Sequence, residues 1–462
     1  MNTMTKFDFI SKEIKKTMRK MGIPGVAFGI YHQGEIQTAS FGVTNLNHPL
    51  PITPQTLFPI GAITKTFTAI LAMRLVKSNK LDLDKPIIHY LPDFKMQDVD
   101  VMKNLTMRHL LTHTGGWAGD YYQEQGEGDD ALAKVVADLV KLPQEFPLGT
   151  LFSFNNSGFY LAGRVIEVLY QQPFETAMQE NIFQPLGLDN TYFFPRDFYS
   201  QRISIGHFQA ADEPIEVVSR YGCTRMANPA GGIVTSLNDL LRYAQLYLQK
   251  GKNYEGNRIL SLTSIAELLT PTVTIYTHKN NQQRMALSWF LNEIDGIKIY
   301  SNAGGLQGQC ALLVFVPEQD FAFVLLNNLA MSGKFFELIS TQIHLQYLGI
   351  TQTTPKAKVW PTEFLTAYLG TYVTKSGEKF IIERKGKHLQ FQFYPSEQIH
   401  QQLKYPPKHV EKLPPIDIGL VNEDIWVALG NDYPGLRGEF ISDEKGDITW
   451  FRSGRLAKKV KI

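Results

Sequence analysis

Leu57-Phe58-Pro59-Ile60-Gly61-Ala62-Ile63-Thr64-Lys65-Thr66-Phe67-Thr68-Ala69 reads as a strand end running into an apolar helix. The helix predicted over Ala62 to Lys77 is apolar nearly all round, so it belongs inside the molecule. Lys65 sits one turn inside that helix. Upstream, apolar residues at helical spacing predict a helix from Phe7 to Met21, stopped by Gly22-Ile23-Pro24-Gly25. Val26 to Tyr31 and Glu35 to Val43 then predict a hairpin across Gln33-Gly34. Downstream, Leu81 to about Phe208 reads as helices and loops, and Asn238 to Lys250 and Ser264 to Leu269 as further helices. Cys310 to Val316 and Phe321 to Leu326 read as central antiparallel strands turning at Pro317 to Asp320, and Lys334 to Leu348 as a closing helix. Early and late strands must therefore meet in one sheet. The expected class is α+β, an antiparallel sheet flanked by helices with a helical insertion.

Thr351 to Pro361 mixes Thr, Pro and Lys in the manner of a linker. Beyond it, Phe380 to Glu383, Leu389 to Tyr394, Ile425 to Ala428 and Ile448 to Phe451 are short strand patterns parted by turn residues. The expected organisation is a main domain over 1–350, a linker over 351–361 and a small all-β domain over 362–462.

Of 462 residues, 44% are hydrophobic and 19% charged, a balance that supports packed domains and excludes a disordered chain. A net charge of +2 with no basic run gives no case for nucleic acid or an anionic membrane surface. No apolar stretch approaches the roughly 20 residues that span a bilayer. Met1 to Lys20 lacks the apolar centre of a secretory signal, so the expected location is the cytoplasm. Cys223 and Cys310, the two cysteines, cannot form a disulfide framework and read as small packing residues.

Two further stretches carry polar residues in patterns that suggest chemistry, Phe152-Ser153-Phe154-Asn155-Asn156-Ser157-Gly158-Phe159 and Tyr300-Ser301-Asn302-Ala303-Gly304-Gly305-Leu306-Gln307-Gly308. With Leu110-Leu111-Thr112-His113-Thr114-Gly115-Gly116-Trp117 and Asn228-Pro229-Ala230-Gly231-Gly232, they make the chain resemble the serine β-lactamase-like family from about Gly22 to Asn328. That family covers class C β-lactamases, DD-peptidases, related esterases and transesterases. The tail resembles, more weakly, the lipocalin-like barrel that some members carry. The resemblance implies a nucleophilic serine three residues before the helix lysine, a tyrosine–asparagine pair that relays a proton, and a His or Lys on the strand beside the acyl carbonyl. Here those positions hold Ala62, Phe154 and Asn302, and only Lys65 and Asn156 remain. A methyl group has no lone pair to attack a carbonyl. No acyl-enzyme turnover of penicillins, esters or peptides is expected.

The expected catalytic set is Lys65, Asn156 and Asn302, around Ala62 and Phe154 at the lost positions. Trp117, Asp120, Tyr121, Gly304, Gly305 and Leu306 are expected to contact the ligand, and Tyr122 lies beside them in sequence. Backbone N–H groups in a loop from Gly305 to Gln309 are a further means of gripping a carbonyl. No metal or other cofactor is expected. His109 and His113 share a helix face but have no Glu between them in the zinc-peptidase manner, and Glu124, Glu127, Asp129 and Asp130 match no calcium loop. The partner is expected to be a small-molecule or peptide-like ligand, with the oligomeric state open. Three functions remain open on sequence alone. The first is noncovalent acid–base chemistry through Lys65, including a biosynthetic setting. The second is noncatalytic binding or regulation. The third is a serine-to-alanine inactivated form of an ordinary esterase or peptidase.

Overall fold

The computed structural model describes residues 4–121, 123–209, 213–219, 222–278, 281–351, 355–396, 414–430 and 436–460. Tyr122 therefore lies outside the described residues. The chain opens with helix α1 (Lys6–Lys20), whose N-terminus is capped by Thr5, and the hairpin of β1 (Gly25–His32) and β2 (Glu35–Gly42). These two strands join an eight-stranded sheet in the order Glu35–Gly42, Gly25–His32, Phe321–Asn327, Gln309–Val316, Ile297–Leu306, Phe290–Ile294, Asn281–Met285, Val273–His278. β1 pairs antiparallel with Phe321–Asn327, matching Phe28 to Leu325, so the two ends of the domain close one sheet as the α+β reading requires.

Alternation along β1 sends successive side chains to opposite faces. Val26, Phe28 and Ile30 pack with Ile10 and Ile14 of α1 and with Phe335 and Ile339 of the helix Gly333–Ile343. Ala27 and Tyr31 face the larger core, with Leu237 and Leu241 of the helix Leu237–Leu248. Helix α2 (Thr64–Lys77) lies in that larger core, and eleven of its fourteen residues are buried. Its threonines bond inside the protein. Thr66 Oγ1 donates to Ile63 O at 2.7 Å, and Thr68 Oγ1 donates to Pro229 O at 2.7 Å.

The C-terminal region forms a closed barrel of eight antiparallel strands from Gly370–Val373 to Arg455–Lys459, sealed by the pairing of Tyr372 with Lys459. Closure leaves no sheet edge exposed. The hairpin of Ile448–Ser453 and Arg455–Lys459 faces the segment that carries Phe154. Phe154 N donates to Gly454 O at 3.2 Å, Leu456 N donates to Ser153 Oγ at 3.3 Å, and Arg452 Nη1 donates to Phe152 O at 2.9 Å.

One expectation is corrected here. Gly305 and Leu306 do not open a loop. They stay in the strand Ile297–Leu306, paired with Cys310 and Gln309, and the chain reverses over Gln307-Gly308 alone. Both turn residues have positive φ, 46° and 79°, as a tight two-residue hairpin demands.

Candidate active site

The floor of the site is the start of α2. A short turn of 3₁₀ helix, Gly61–Ile63, precedes the α-helix, and no side chain caps it. Gly61 has φ of 50° and faces the glycine pair of the strand Ile297–Leu306. A Cβ on Gly304 would lie 1.9 Å from Ile60 O and 2.6 Å from Ala62 N, so only glycine lets that strand run against residue 62. Gly304 and Asn302 share a strand face by alternation. Ala62 is half-buried, whereas Lys65 one turn on is 1% exposed.

Lys65 Nζ donates to Asn156 Oδ1 at 2.7 Å and to Ala230 O at 2.9 Å. It also lies 4.7 Å from the centre of the Phe154 ring and 5.3 Å from that of Phe159. Burial pulls the amine down from its ordinary 10.5 to about 7, against the opposing pull of Asp120 and with a smaller push in the same direction from Arg455. The amine therefore sits between its charged and neutral forms near neutrality. With two hydrogens held by acceptors, its third position carries a proton in one form and a lone pair in the other.

Asn156 sits at the N-cap of the helix Ser157–Tyr170, yet its side chain caps nothing. Its neighbour takes that task. Asn155 Oδ1 accepts from Gly158 N at 2.7 Å and from Ser157 Oγ at 3.0 Å. Asn156 is thus free to face the site, where its Nδ2 donates to Asp120 Oδ1 at 2.7 Å. Asp120 forms an ion pair with Arg455, at the first position of the last barrel strand. Arg455 Nη1 also donates to Glu378 Oε1 at 2.9 Å. One polar chain therefore runs from Lys65 through Asn156, Asp120 and Arg455 to Glu378, from the core helix into the barrel.

Of the five residues expected to converge, Lys65, Phe154 and Asn156 are in contact, and Ala62 lies one helical turn before Lys65. Asn302 is buried two residues from Gly304, and its Nδ2 donates to Ser288 O at 2.8 Å. Ser288 N in turn donates to Leu111 O at 2.9 Å, which ties the strand to the turn before His113. Asp120 lies in the polar chain. Trp117 and Tyr121 direct their polar atoms into the fold: Trp117 Nε1 donates to Ser157 Oγ at 2.9 Å, and the Tyr121 hydroxyl pairs with Asp138. Of the glycine motif, Gly304 meets the floor, and Gly305 and Leu306 continue the strand. Arg455, Glu378 and Asn155 are participants that the sequence reading missed.

His113 is buried behind the site. Its Nδ1 accepts from Asn155 N at 2.9 Å, and its ring stacks on Phe154 with centroids 4.9 Å apart. Burial and the nearby Lys65 hold its imidazole well below the ordinary range, so it stays neutral and serves as a support. His109 closes a capping box with Thr106, and His207 accepts from Leu46 N at 3.2 Å. Arg225 bridges Asp129 and Glu175 beside the acidic loop. Among the described residues no group of three or more His, Cys, Asp or Glu side chains is arranged to hold a metal ion. Among the same residues no helix is long and apolar enough to cross a membrane.

The family model described as Beta-lactamase matches residues 10–348. Penicillin-binding protein 4 of Amycolatopsis lactamdurans is 28% identical over 361 residues, covering 77% of this chain and 94% of its own length. Unguisins hydrolase ungD' of Aspergillus campestris is 24% identical over 336 residues, covering 70% of this chain and 61% of its own. The solved structure of SurE superposes with a TM-score of 0.75 at 23% identity over 98% of this chain and 99% of that one, and its structure with D-Leu gives 0.74 at 21% over the same shares. That likeness in fold runs through the barrel as well as the sheet.

Proposed function

This chain belongs to the Beta-lactamase family, and on that premise we propose that it is a member that has given up acyl transfer and acts on a peptide-like ligand by noncovalent acid–base chemistry at Lys65. One observation carries the reading. The Lys65 amine is held by Asn156 and a backbone carbonyl, and the residue one helical turn before it offers a methyl group. In an acyl-transferring relative, the resemblance places there the hydroxyl that such an amine would activate. Without it, the amine itself is the reactive group. Poised at about 7, it is present in both its neutral and its charged form near neutral pH, so that it can accept a proton from a ligand or return one. Asn156 holds the amine in place and Asp120 favours its charged form, so the pair sets both its position and its basicity. A peptide-like ligand is supported by a relative named as a hydrolase of unguisins and by a fold neighbour solved with D-Leu.

A second reading, a binder without turnover, is favoured by the depth of Lys65: at 1% exposure, with two acceptors in hand, it already has structural work. Two experiments separate the readings. A fluorescent penicillin should leave no covalent label on the native chain. Ala62→Ser alone should gain little labelling, and Ala62→Ser with Phe154→Tyr should gain much more, because the restored hydroxyl then has a relay. Strong labelling of the single variant would point to an inactivated form of a working hydrolase. Turnover of any peptide amide or ester by the native chain that disappears in Lys65→Ala supports acid–base chemistry. A ligand whose affinity changes in that variant while no product ever forms supports binding alone.

A further inference from the structure

The charge of the chain is unevenly placed. Over all 462 residues it sums to +2. Helix α1 alone, with sequence KFDFISKEIKKTMRK, sets Lys6, Lys12, Lys15, Lys16, Arg19 and Lys20 against Asp8 and Glu13. All six basic residues are exposed. In the sequence they make no run, because Glu13-Ile14 and Thr17-Met18 interrupt them. The helix gathers them. At about 3.6 residues per turn, Lys12, Lys15, Lys16, Arg19 and Lys20 fall within about 140° of its circumference, opposite the buried Ile10, Ile14 and Met18.

The fold makes little use of these charges. Lys16 pairs with Glu13 at 3.6 Å, and the Lys15 amine lies 4.8 Å from the centre of the Phe41 ring. Among the described residues, Lys12, Arg19 and Lys20 have no carboxylate within ion-pair distance. The helix dipole accounts for basic residues in the last turn, Arg19 and Lys20, but not for Lys12, Lys15 and Lys16 in the middle. Like charges one turn apart, as in Lys12 with Lys16, Lys15 with Arg19 and Lys16 with Lys20, destabilise a helix. The stripe therefore does not serve the helix itself. The apolar residues Phe7, Phe9, Ile10, Ile14 and Met18 all pack against the sheet and the helix Gly333–Ile343. What remains outside is positive charge spread along about 12 Å, with no apolar anchor.

A field of that kind selects by charge and not by shape. A fluid bilayer with anionic headgroups suits it, because the lipids rearrange beneath the side chains. About four to eight Lys or Arg on one amphipathic helix is the density at which such attraction takes hold. We propose that the outer face of α1 docks the protein onto an anionic lipid surface, with Lys12, Lys15, Lys16, Arg19 and Lys20 toward the headgroups. Helix α1 lies on the face of the sheet to which Phe28 points, and α2 lies on the other, with Ala27. Docking through α1 therefore keeps Lys65 on the far side of the sheet from the bilayer, and the inference stands apart from the chemistry proposed for that residue.

The test uses the full chain and sucrose-loaded vesicles, of phosphatidylcholine alone or with about 30% phosphatidylserine. In about 0.1 M salt, where charge is felt over about 10 Å, the protein should sediment with the anionic vesicles and stay in solution with the neutral ones. Near 1 M salt that range falls to about 3 Å, and binding should vanish. Each basic residue near such a surface contributes about fivefold in affinity, so Lys12→Gln, Arg19→Gln and Lys20→Gln together should weaken binding by about a hundredfold. Glu13→Gln removes the acid beside the stripe and should strengthen binding by about fivefold. Neutral vesicles should still leave that variant in solution, which sets the gain apart from an unfolded chain that sticks to both. No sedimentation with anionic vesicles, equal sedimentation with neutral ones, or a triple variant that binds as the native chain does overturns the proposal. So does tighter binding to soluble poly-L-glutamate than to anionic vesicles of equal charge, which would assign the stripe to an acidic protein segment.

Discussion

Two basic side chains reach the same Asp120–Asn156 pair from opposite sides, and their settings differ. Lys65 comes from a helix in the middle of the core and is 1% exposed. Arg455 comes from the start of the last barrel strand, with 23% of its side chain exposed and two carboxylates against it. Desolvation, only partly opposed by Asp120, pulls the lysine to about 7. A guanidinium keeps its charge at any ordinary pH, more so with two anions beside it. The core therefore supplies the group whose charge can change, and the barrel supplies the charge that does not. An amine that exchanges protons, as proposed for Lys65, gains from that division, because its surroundings hold still while it titrates.

The comparison is broken most directly at the lysine. Its value in the unfolded chain is near 10.5 and in the folded chain about 7, so between those limits the unfolded state binds more protons and folding stability rises with pH. Below about 7 the burial penalty is present in full; toward 10.5 it fades. Lys65→Met removes this titration. Its stability relative to the native chain should fall by about 1.4 kcal/mol for each pH unit across that window, summing to about 5 kcal/mol. Urea unfolding of both proteins at a series of pH values measures it. A difference that does not change with pH would mean that Lys65 is fully charged in the fold.

How much of this was legible beforehand differs between the two sides in the same way. The floor is written in one continuous stretch. An apolar helix with a lysine one turn inside, two glycines on a later strand, and an asparagine after an aromatic run are local patterns, and each is where its pattern implies. The sheet's central strands were equally plain, because Cys310 to Val316 and Phe321 to Leu326 are buried on both faces and read as unbroken apolar runs. Asn281–Met285 was not, since its sequence, NQQRM, has a single apolar residue and takes its conformation from pairing on both sides. Arg455–Lys459, with sequence RLAKK, likewise has too few apolar residues to show a period, and barrel closure makes it a strand. Arg455 had no signal at all. Its role depends on how the barrel docks against Phe154, which is a property of two surfaces and is absent from any short segment. Asn155 was overlooked for a different reason: two adjacent asparagines look interchangeable, and only the helix start shows that one caps and the other is released.

The link between the two sides is Asp120, and its removal should be the next largest effect. Its side chain is 3% exposed, pairs with Arg455 and accepts from Asn156. Asp120→Ala takes one carboxylate from Arg455 and the Nδ2 acceptor from Asn156, and should destabilise the fold by about 3 kcal/mol, the lower part of the range for breaking a buried pair. Gly304→Ala disturbs the floor alone. Its methyl group would meet backbone atoms of Ile60 and Ala62, which cannot swing aside as a side chain can, and the expected loss is about 1–3 kcal/mol. Denaturant midpoints of the two variants rank them. If Gly304→Ala proves neutral, the strand is not pressed against residue 62 as described.

The smallest effect is the most informative about the division between core and barrel. Arg455 lowers the Lys65 value and Asp120 raises it. Arg455→Met takes away a nearby positive charge and also frees Asp120 from its ion partner, so both consequences push the same way and the lysine should titrate above about 7. Asp120→Asn removes the larger of the charges that favour the ammonium form and should move it below about 7. The ε-carbon resonance of ¹³C-labelled Lys65, followed through a pH titration, reads both shifts without any substrate. Opposite movements in the two variants mean that a residue of the barrel sets the basicity of an amine in the core. Movement in Asp120→Asn alone would confine the tuning to the main domain and leave Arg455 with a purely mechanical task, holding the barrel against Phe154.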